Sequence, residues 1–201
     1  MRGTGSFRRS ATVIAALAGA LVLPAGASAS VETFERFEAV ATANFTVTEQ
    51  CADGSTVQTL VTVLGGHEVE VESGETTLDN DFLTVLVRGF DCSGAFVNDR
   101  GSGPATFTFS PSLQTASVTG TITTRDGRTV SADVAWEGTG ALEASSNTTT
   151  FPGFTGHFRS TRRDAIATGT VVVDGETLVD GTTTNAELET LEDKNVRTGG
   201  G

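Results

Sequence analysis

The chain is short of the residue types from which most catalytic and metal sites are built. It contains no tyrosine, one lysine, two cysteines and two histidines, His67 and His157, in 201 residues. A nucleophile needs a nearby base, which is most often histidine, and no serine lies in a G-x-S-x-G motif. Zinc needs more ligands than these scattered residues offer. The sequence therefore favours a non-catalytic protein with no metal and no cofactor.

Basic residues are also scarce. The chain has 13 lysines and arginines against 25 acidic residues, which gives a formal net charge of −12. Binding of nucleic acid depends on basic patches that neutralise phosphates, so nucleic acid is excluded as a partner. Such acidity is typical of a protein that stays soluble outside the cell.

Long apolar runs are missing except near the start of the chain. Residues 11–23 are uncharged and largely apolar, and Arg2, Arg8 and Arg9 precede them. This run is shorter than the roughly 20 residues that a membrane-spanning helix needs. The small residues Ala27 and Ala29 then supply a cleavage site. We therefore expect residues 1–29 to be a signal peptide and the mature protein, which begins at Ser30, to be secreted without a membrane span.

Cys51 and Cys92 are the two cysteines of the chain. An even pair in an exported protein is most simply interpreted as one disulfide bond. The two residues are too far apart in sequence for a redox-active C-x-x-C motif. We predict a structural disulfide.

Most of the mature sequence has the pattern of β-strands. Apolar and polar residues alternate, as at residues 37–47, and threonine is abundant, which is typical of strands with one buried face. Small residues such as Ala41 and Gly120 on the inferred inner face indicate close packing, although in a barrel they could leave a ligand cavity. Gly65-Gly66 indicates a turn or a bulge, which makes His67 a solvated loop residue, and 79–81 is a further predicted turn.

The clearest hairpin surrounds Arg125-Asp126-Gly127. A two-residue turn would place Ile122 opposite Ser131, and every apolar residue would then face a polar one. A three-residue loop with Gly127 in the left-handed conformation instead pairs Ile122 with Val130, and both apolar sets share one face. We predict the second register.

Successive strands with short turns predict a single all-β antiparallel domain at residues 30–185. Closing a barrel or stacking two sheets would protect the edge strands. We prefer an up-and-down β-barrel, with a two-sheet β-sandwich as the alternative. Residues 186–201 are polar and charged, with at most a helical turn at 186–191, and are expected to be a disordered tail.

Basic residues are concentrated at one place in the mature chain, namely His157, Arg159, Arg162 and Arg163. Arginine holds carboxylate or phosphate groups in a forked geometry, so this group is the predicted anion-binding site. By strand parity Arg162 faces away from Arg159 unless the chain bends between them. The alternative is that these arginines pair with acidic neighbours across a solvated sheet.

Two functions of different classes remain open. The first is a secreted, non-catalytic binding or structural domain for an unknown small molecule or extracellular partner. The second is a small extracellular enzyme, an isomerase or hydrolase, built on a β-barrel. The poor catalytic inventory favours the first.

Overall fold

The computed structural model describes residues 30–198, so the predicted signal peptide at residues 1–29 lies outside the described residues. No helix in the described part of the chain is long and apolar enough to cross a membrane. The structure consists of ten strands, with these bounds: β1 Val31–Gln50, β2 Thr56–Glu72, β3 Glu75–Phe90, β4 Phe96–Pro104, β5 Thr106–Phe109, β6 Thr115–Thr123, β7 Thr129–Gly138, β8 Glu143–Phe151, β9 Phe154–Val173 and β10 Glu176–Thr198.

The ten strands form one antiparallel sheet, in which nine follow the order β4-β3-β2-β1-β10-β9-β7-β6-β5 and β8 pairs with β9 outside this order. β9 is long enough to pair with two strands along one edge: residues 154–162 pair with β8, and residues 165–173 pair with β7. The predicted all-β antiparallel fold is confirmed.

The two ends of the sheet approach each other but do not close a barrel. Gly101 of β4 and Thr124, which follows β6, form an isolated antiparallel bridge. Elsewhere β2 and β3 contact β5 and β6 across the interior rather than through a ladder. The sheet therefore folds over itself, and its two halves pack face to face as in the two-layer alternative. The preferred closed barrel is not what the described residues form.

The predicted alternation produces the core between these halves. Buried residues include Ala39, Ala41 and Ala43 of β1, Val61 and Val63 of β2, Val118 of β6, and Val134 and Trp136 of β7. Small residues allow the halves to approach closely, because a Cβ atom at Gly65 would lie 2.7 Å from the Cβ atom of Val118. The Trp136 ring spans the interior, and its Nε1 donates a hydrogen bond to the carbonyl oxygen of Thr42 at 3.0 Å.

The predicted disordered tail is wrong for residues 186–198. They form the second part of β10, in which Ala43 pairs with Ala186 and Val31 pairs with Thr198. On the other side these residues pair with β9, so they lie inside the sheet with a neighbour on each edge. Backbone pairing on both edges orders this segment although most of its side chains are polar.

The predicted turn at 79–81 is wrong, and of the two interpretations of Gly65-Gly66 the single strand is the one that the structure contains, with a bulge between Glu70 and Val71. β2 runs without interruption through Gly65 and Gly66, and residues 79–81 lie within β3. Both positions are glycine because a Cβ atom at Gly65 would meet Val118 and one at Gly66 would meet Phe82. His67 is therefore a strand residue.

The register predicted for the β6–β7 hairpin is confirmed. Ile122 pairs with Val130, and Gly127 has a φ of 83°. Thr124 N donates to the carbonyl of Arg128, which closes a three-residue loop. The loops 51–55 and 91–95 repeat this hydrogen-bond pattern at the β1–β2 and β3–β4 hairpins.

Replacing Gly127 with valine is expected to lower the free energy of unfolding by more than about 1 kcal/mol, because a β-branched residue is strained at positive φ. A Cβ atom here would meet no other atom within 4 Å, so the cost comes from the backbone and not from a clash. Urea denaturation measures the effect. Gly127→Asn is the control, since asparagine tolerates this conformation and should cost less; equal losses would contradict the interpretation.

Candidate functional site

The four predicted anion-binding residues all lie on β9, and they do not form one cluster. β9 keeps an unbroken register with β10 over residues 154–165, so its side chains alternate between the two faces throughout this stretch. His157, Arg159 and Arg163 project from one face of the sheet, and Arg162 projects from the other.

Arg162 and Arg163 are engaged by neighbouring groups. Arg162 donates a hydrogen bond to the carboxylate of Glu143 at 2.7 Å. Arg163 donates to the main-chain carbonyls of Thr139 and Gly140 at 3.3 and 3.0 Å. These contacts tie β9 to β8 and to the segment before it, and they occupy both side chains.

His157 and Arg159 are less engaged. Nδ1 of His157 lies 2.9 Å from the hydroxyl oxygen of Thr148. Arg159 is exposed, with Glu192 as its register partner on β10. Within residues 30–198, no carboxylate oxygen lies within 4.0 Å of the Arg159 guanidinium nitrogens. Anion binding by this pair stays a prediction.

His67 is held in place and is not the solvated loop residue expected from the sequence. Its Nδ1 lies 2.8 Å from Oδ1 of Asp81, and the other carboxylate oxygen of Asp81 accepts a hydrogen bond from the Phe107 amide at 3.2 Å. The pair therefore connects β2, β3 and β5. Among the described residues, no three side chains of histidine, cysteine, aspartate or glutamate are grouped to hold a metal ion.

The outer face of the sheet, opposite the core, is acidic around the middle of β1 and β10. Burial raises the pKa of Glu38; Arg36 opposes this shift, and the charges of Glu68 and Glu189 add to it. Burial also raises the pKa of Glu187. Like charges gathered in this way repel an anionic ligand.

Three arginines meet at a different part of the outer face. Arg88 of β3, Arg100 of β4 and Arg125 of the β6–β7 loop line a cavity of about 210 Å³ together with Leu86 and Asn98. We call this set the arginine pocket.

The sheet register positions the arginine pocket. Arg88 pairs with Asn98, and Leu86 pairs with Arg100, so both arginines project from the outer face in adjacent rows. The Arg125 amide donates a hydrogen bond to the carbonyl of Arg100 at 2.9 Å, which brings the loop against the β4 edge. The site therefore depends on the contact between the two ends of the sheet.

The arginine pocket has no acidic counterpart in direct contact. Within residues 30–198, no carboxylate oxygen lies within 4.0 Å of a guanidinium nitrogen of Arg88, Arg100 or Arg125. Asp99 is adjacent in sequence but is buried on the inner face of β4, and its Oδ1 has no hydrogen-bond partner among the described residues. Arginine guanidinium groups suit carboxylate and phosphate oxygens, so the pocket is equipped to hold an anion.

Sequence reasoning missed the arginine pocket because its members are far apart in the chain. The sequence carries one signal for part of this pocket. A three-residue loop at 92–94 fixes the β3–β4 register, and this register places Arg88 and Arg100 on the same face of the sheet. The position of Arg125 depends on how the sheet folds over itself, for which the sequence carries no local signal.

Comparison with known proteins does not assign the chain to a family. No family model matches it, and no curated protein matches it. A crystal structure of a “putative AttH” from Nitrosomonas europaea is similar at 11% identity, with 85% of this chain and 52% of that chain covered and a TM-score of 0.21. This chain thus spans about half the length of that protein, and so low a TM-score carries no argument about fold or function.

Proposed function

We propose that the protein is a secreted, non-catalytic binding domain that holds an anionic ligand at the arginine pocket. The observation that carries this proposal is the convergence of Arg88, Arg100 and Arg125 without a carboxylate in contact. Three like charges that converge without counter-charges repel one another, and a bound anion relieves that repulsion.

The size and chemistry of the pocket suggest the ligand class. A cavity of about 210 Å³ is smaller than the sites that enclose whole drug-sized molecules, so it suits one anionic group. Guanidinium groups and the Asn98 side chain donate hydrogen bonds, which fits a phosphate, sulfate or carboxylate.

The enzyme alternative, an extracellular isomerase or hydrolase, would depend on the His67–Asp81 pair. A carboxylate at 2.8 Å orients an imidazole as it does for a general base. The same carboxylate also accepts the Phe107 amide, so a structural role in joining β5 to β3 accounts for the geometry. The geometry of this pair therefore does not favour catalysis over binding.

We expect inorganic phosphate to shift the arginine Nε–Hε resonances of the pocket in a saturable NMR titration. Arg88→Gln combined with Arg100→Gln should weaken binding by about tenfold or more, since hydrogen bonds to charged groups contribute about 1.5–3 kcal/mol. Thermal stability should change little because both side chains are exposed. Added salt should also weaken binding.

Arg159→Gln is the matched control, because it removes an exposed arginine at the site predicted from the sequence. It should leave phosphate affinity unchanged. If Arg159→Gln weakens binding and the double variant does not, the ligand binds on β9 instead. If no resonance shifts in a saturable way, the proposed function is wrong.

A further inference from the structure

We infer that the arginine pocket and the aromatic pair beside it dock the protein onto the surface of an anionic lipid bilayer. This inference rests on the proposed function and names the source of the anionic group, which is a lipid headgroup.

The aromatic pair consists of Phe90 and Phe96, which flank the β3–β4 loop. The two side chains are 53% and 57% exposed, and their ring centroids are 5.4 Å apart. They pair directly in the register and lie one row beyond Arg88 and Asn98 on the outer face. The sheet therefore presents phenyl rings and guanidinium groups side by side toward solvent.

The surface around these groups differs in charge from the rest of the molecule. Alternate residues face outward over 44–50 in β1, 56–62 in β2, 84–90 in β3 and 96–102 in β4. None of these outward strand residues is acidic, in a chain that has 25 acidic residues; the exposed acidic neighbours Asp91 and Asp126 lie in the flanking loops, where Asp91 accepts the hydrogen bonds of its own loop. Leu60 is also 38% exposed here and pairs with Arg88. An anionic surface is therefore attracted to this face and repelled by the acidic one.

A lipid surface explains the rings better than a free anion does. The cavity accommodates one anionic group, whereas Phe90 and Phe96 are not part of its lining and would contact nothing in a complex with free phosphate. At a bilayer interface, phenyl rings enter the boundary of the acyl chains while arginines contact the headgroup phosphates. The phenyl rings and the arginines then both contact a part of the lipid.

The loop that carries the rings is already ordered. Oδ1 of Asp91 accepts hydrogen bonds from the amides of Ser93 and Ala95 and from the Ser93 hydroxyl, at 2.8, 3.0 and 2.6 Å. The disulfide from Cys92 to Cys51 anchors the loop to the β1–β2 hairpin. A pre-ordered surface loses little conformational entropy on binding.

The test is co-sedimentation of the full mature protein with vesicles made from equal parts of phosphatidylglycerol and phosphatidylcholine. We expect binding to these vesicles and much weaker binding to vesicles of phosphatidylcholine alone. Phe90→Ser combined with Phe96→Ser should reduce vesicle binding by roughly tenfold or more while phosphate affinity in solution stays unchanged. Phe151→Ser is the control, since Phe151 is 62% exposed on β8, away from the pocket.

The outcomes separate this inference from the proposed function. If the protein binds phosphate but no vesicles, or if the Phe90/Phe96 variant sediments like the wild type, lipid docking is overturned and the anion site stands. If Phe151→Ser causes the same loss, the surface assignment is wrong. If the Arg88/Arg100 variant loses both phosphate and vesicle binding while the Phe90/Phe96 variant loses only vesicle binding, the inference is supported.

Discussion

Trp136→Ala is expected to lower the free energy of unfolding by about 3–5 kcal/mol, a loss typical of a large buried aromatic side chain. Trp136 is 2% exposed and lies on β7, yet its Nε1 reaches the Thr42 carbonyl on β1 at 3.0 Å. The ring therefore packs against both halves of the folded sheet. Its removal leaves a cavity between them and takes the indole donor away from the Thr42 carbonyl, close to the point where β1 separates from β10.

Urea denaturation of three variants separates these contributions. Trp136→Phe keeps much of the volume but leaves the Thr42 carbonyl without its donor, so an intermediate loss of about 1–3 kcal/mol is expected. Ile166→Ala is the control, since Ile166 is an apolar residue of the neighbouring β9 that is 37% exposed. A loss in Trp136→Ala no greater than that of Ile166→Ala would show that the ring does not hold the two halves together.

The core was predictable because, in a strand with one buried face, the alternation of apolar and polar residues indicates which side chains are buried. Ala39, Ala41 and Phe45 occupy alternate positions of β1, and all three are buried. The same logic selected the register in which Ile122 pairs with Val130. One-sided burial fixes register, because a slip of one residue would expose every apolar side chain of the strand.

The second part of β10 was not predictable by the same argument. Over residues 186–198 the strand is held mainly by backbone pairing to β1 and β9, and Leu188 is its one fully buried apolar side chain among the described residues. Both faces of this strand segment carry mostly polar side chains, so the alternation of apolar and polar residues is lost. Lys194 forms an ion pair with Glu35 on β1, which is a long-range contact. A polar strand between two partners has the same composition as a disordered tail.

The two candidate anion sites also differ in how far the sequence predicts them. His157 and Arg159 are close in the sequence and are therefore predictable as a pair, whereas Arg88 and Arg125 come together only after the sheet folds over itself. Successive side chains of a strand point to opposite faces, so residues that are close in sequence can lie on different faces, as Arg162 and Arg159 do. Charge clusters in β-proteins are therefore better sought along rows of the register than along the chain.

Removing the disulfide is expected to destabilise the fold by about 4 kcal/mol in the chain-entropy model. Cys51 and Cys92 are 41 positions apart, and their bond links the end of β1 to the β3–β4 loop. Without the bond, the unfolded chain regains the freedom of that long loop. The folded state keeps its ladders, because β1, β2 and β3 remain paired along their lengths. The domain should therefore still fold, with a lower midpoint of denaturation.

The measurement is urea denaturation of the Cys51→Ser/Cys92→Ser double variant beside the oxidised wild type. The reduced wild type is the matched control, because it lacks the bond but keeps both sulfur atoms, and it should lose a similar amount of stability. A smaller loss in both would mean that the reduced unfolded chain stays compact, since a compact chain has less entropy to regain. Mass spectrometry of the unreduced mature protein should find no free thiol, and two free thiols would contradict the bond itself.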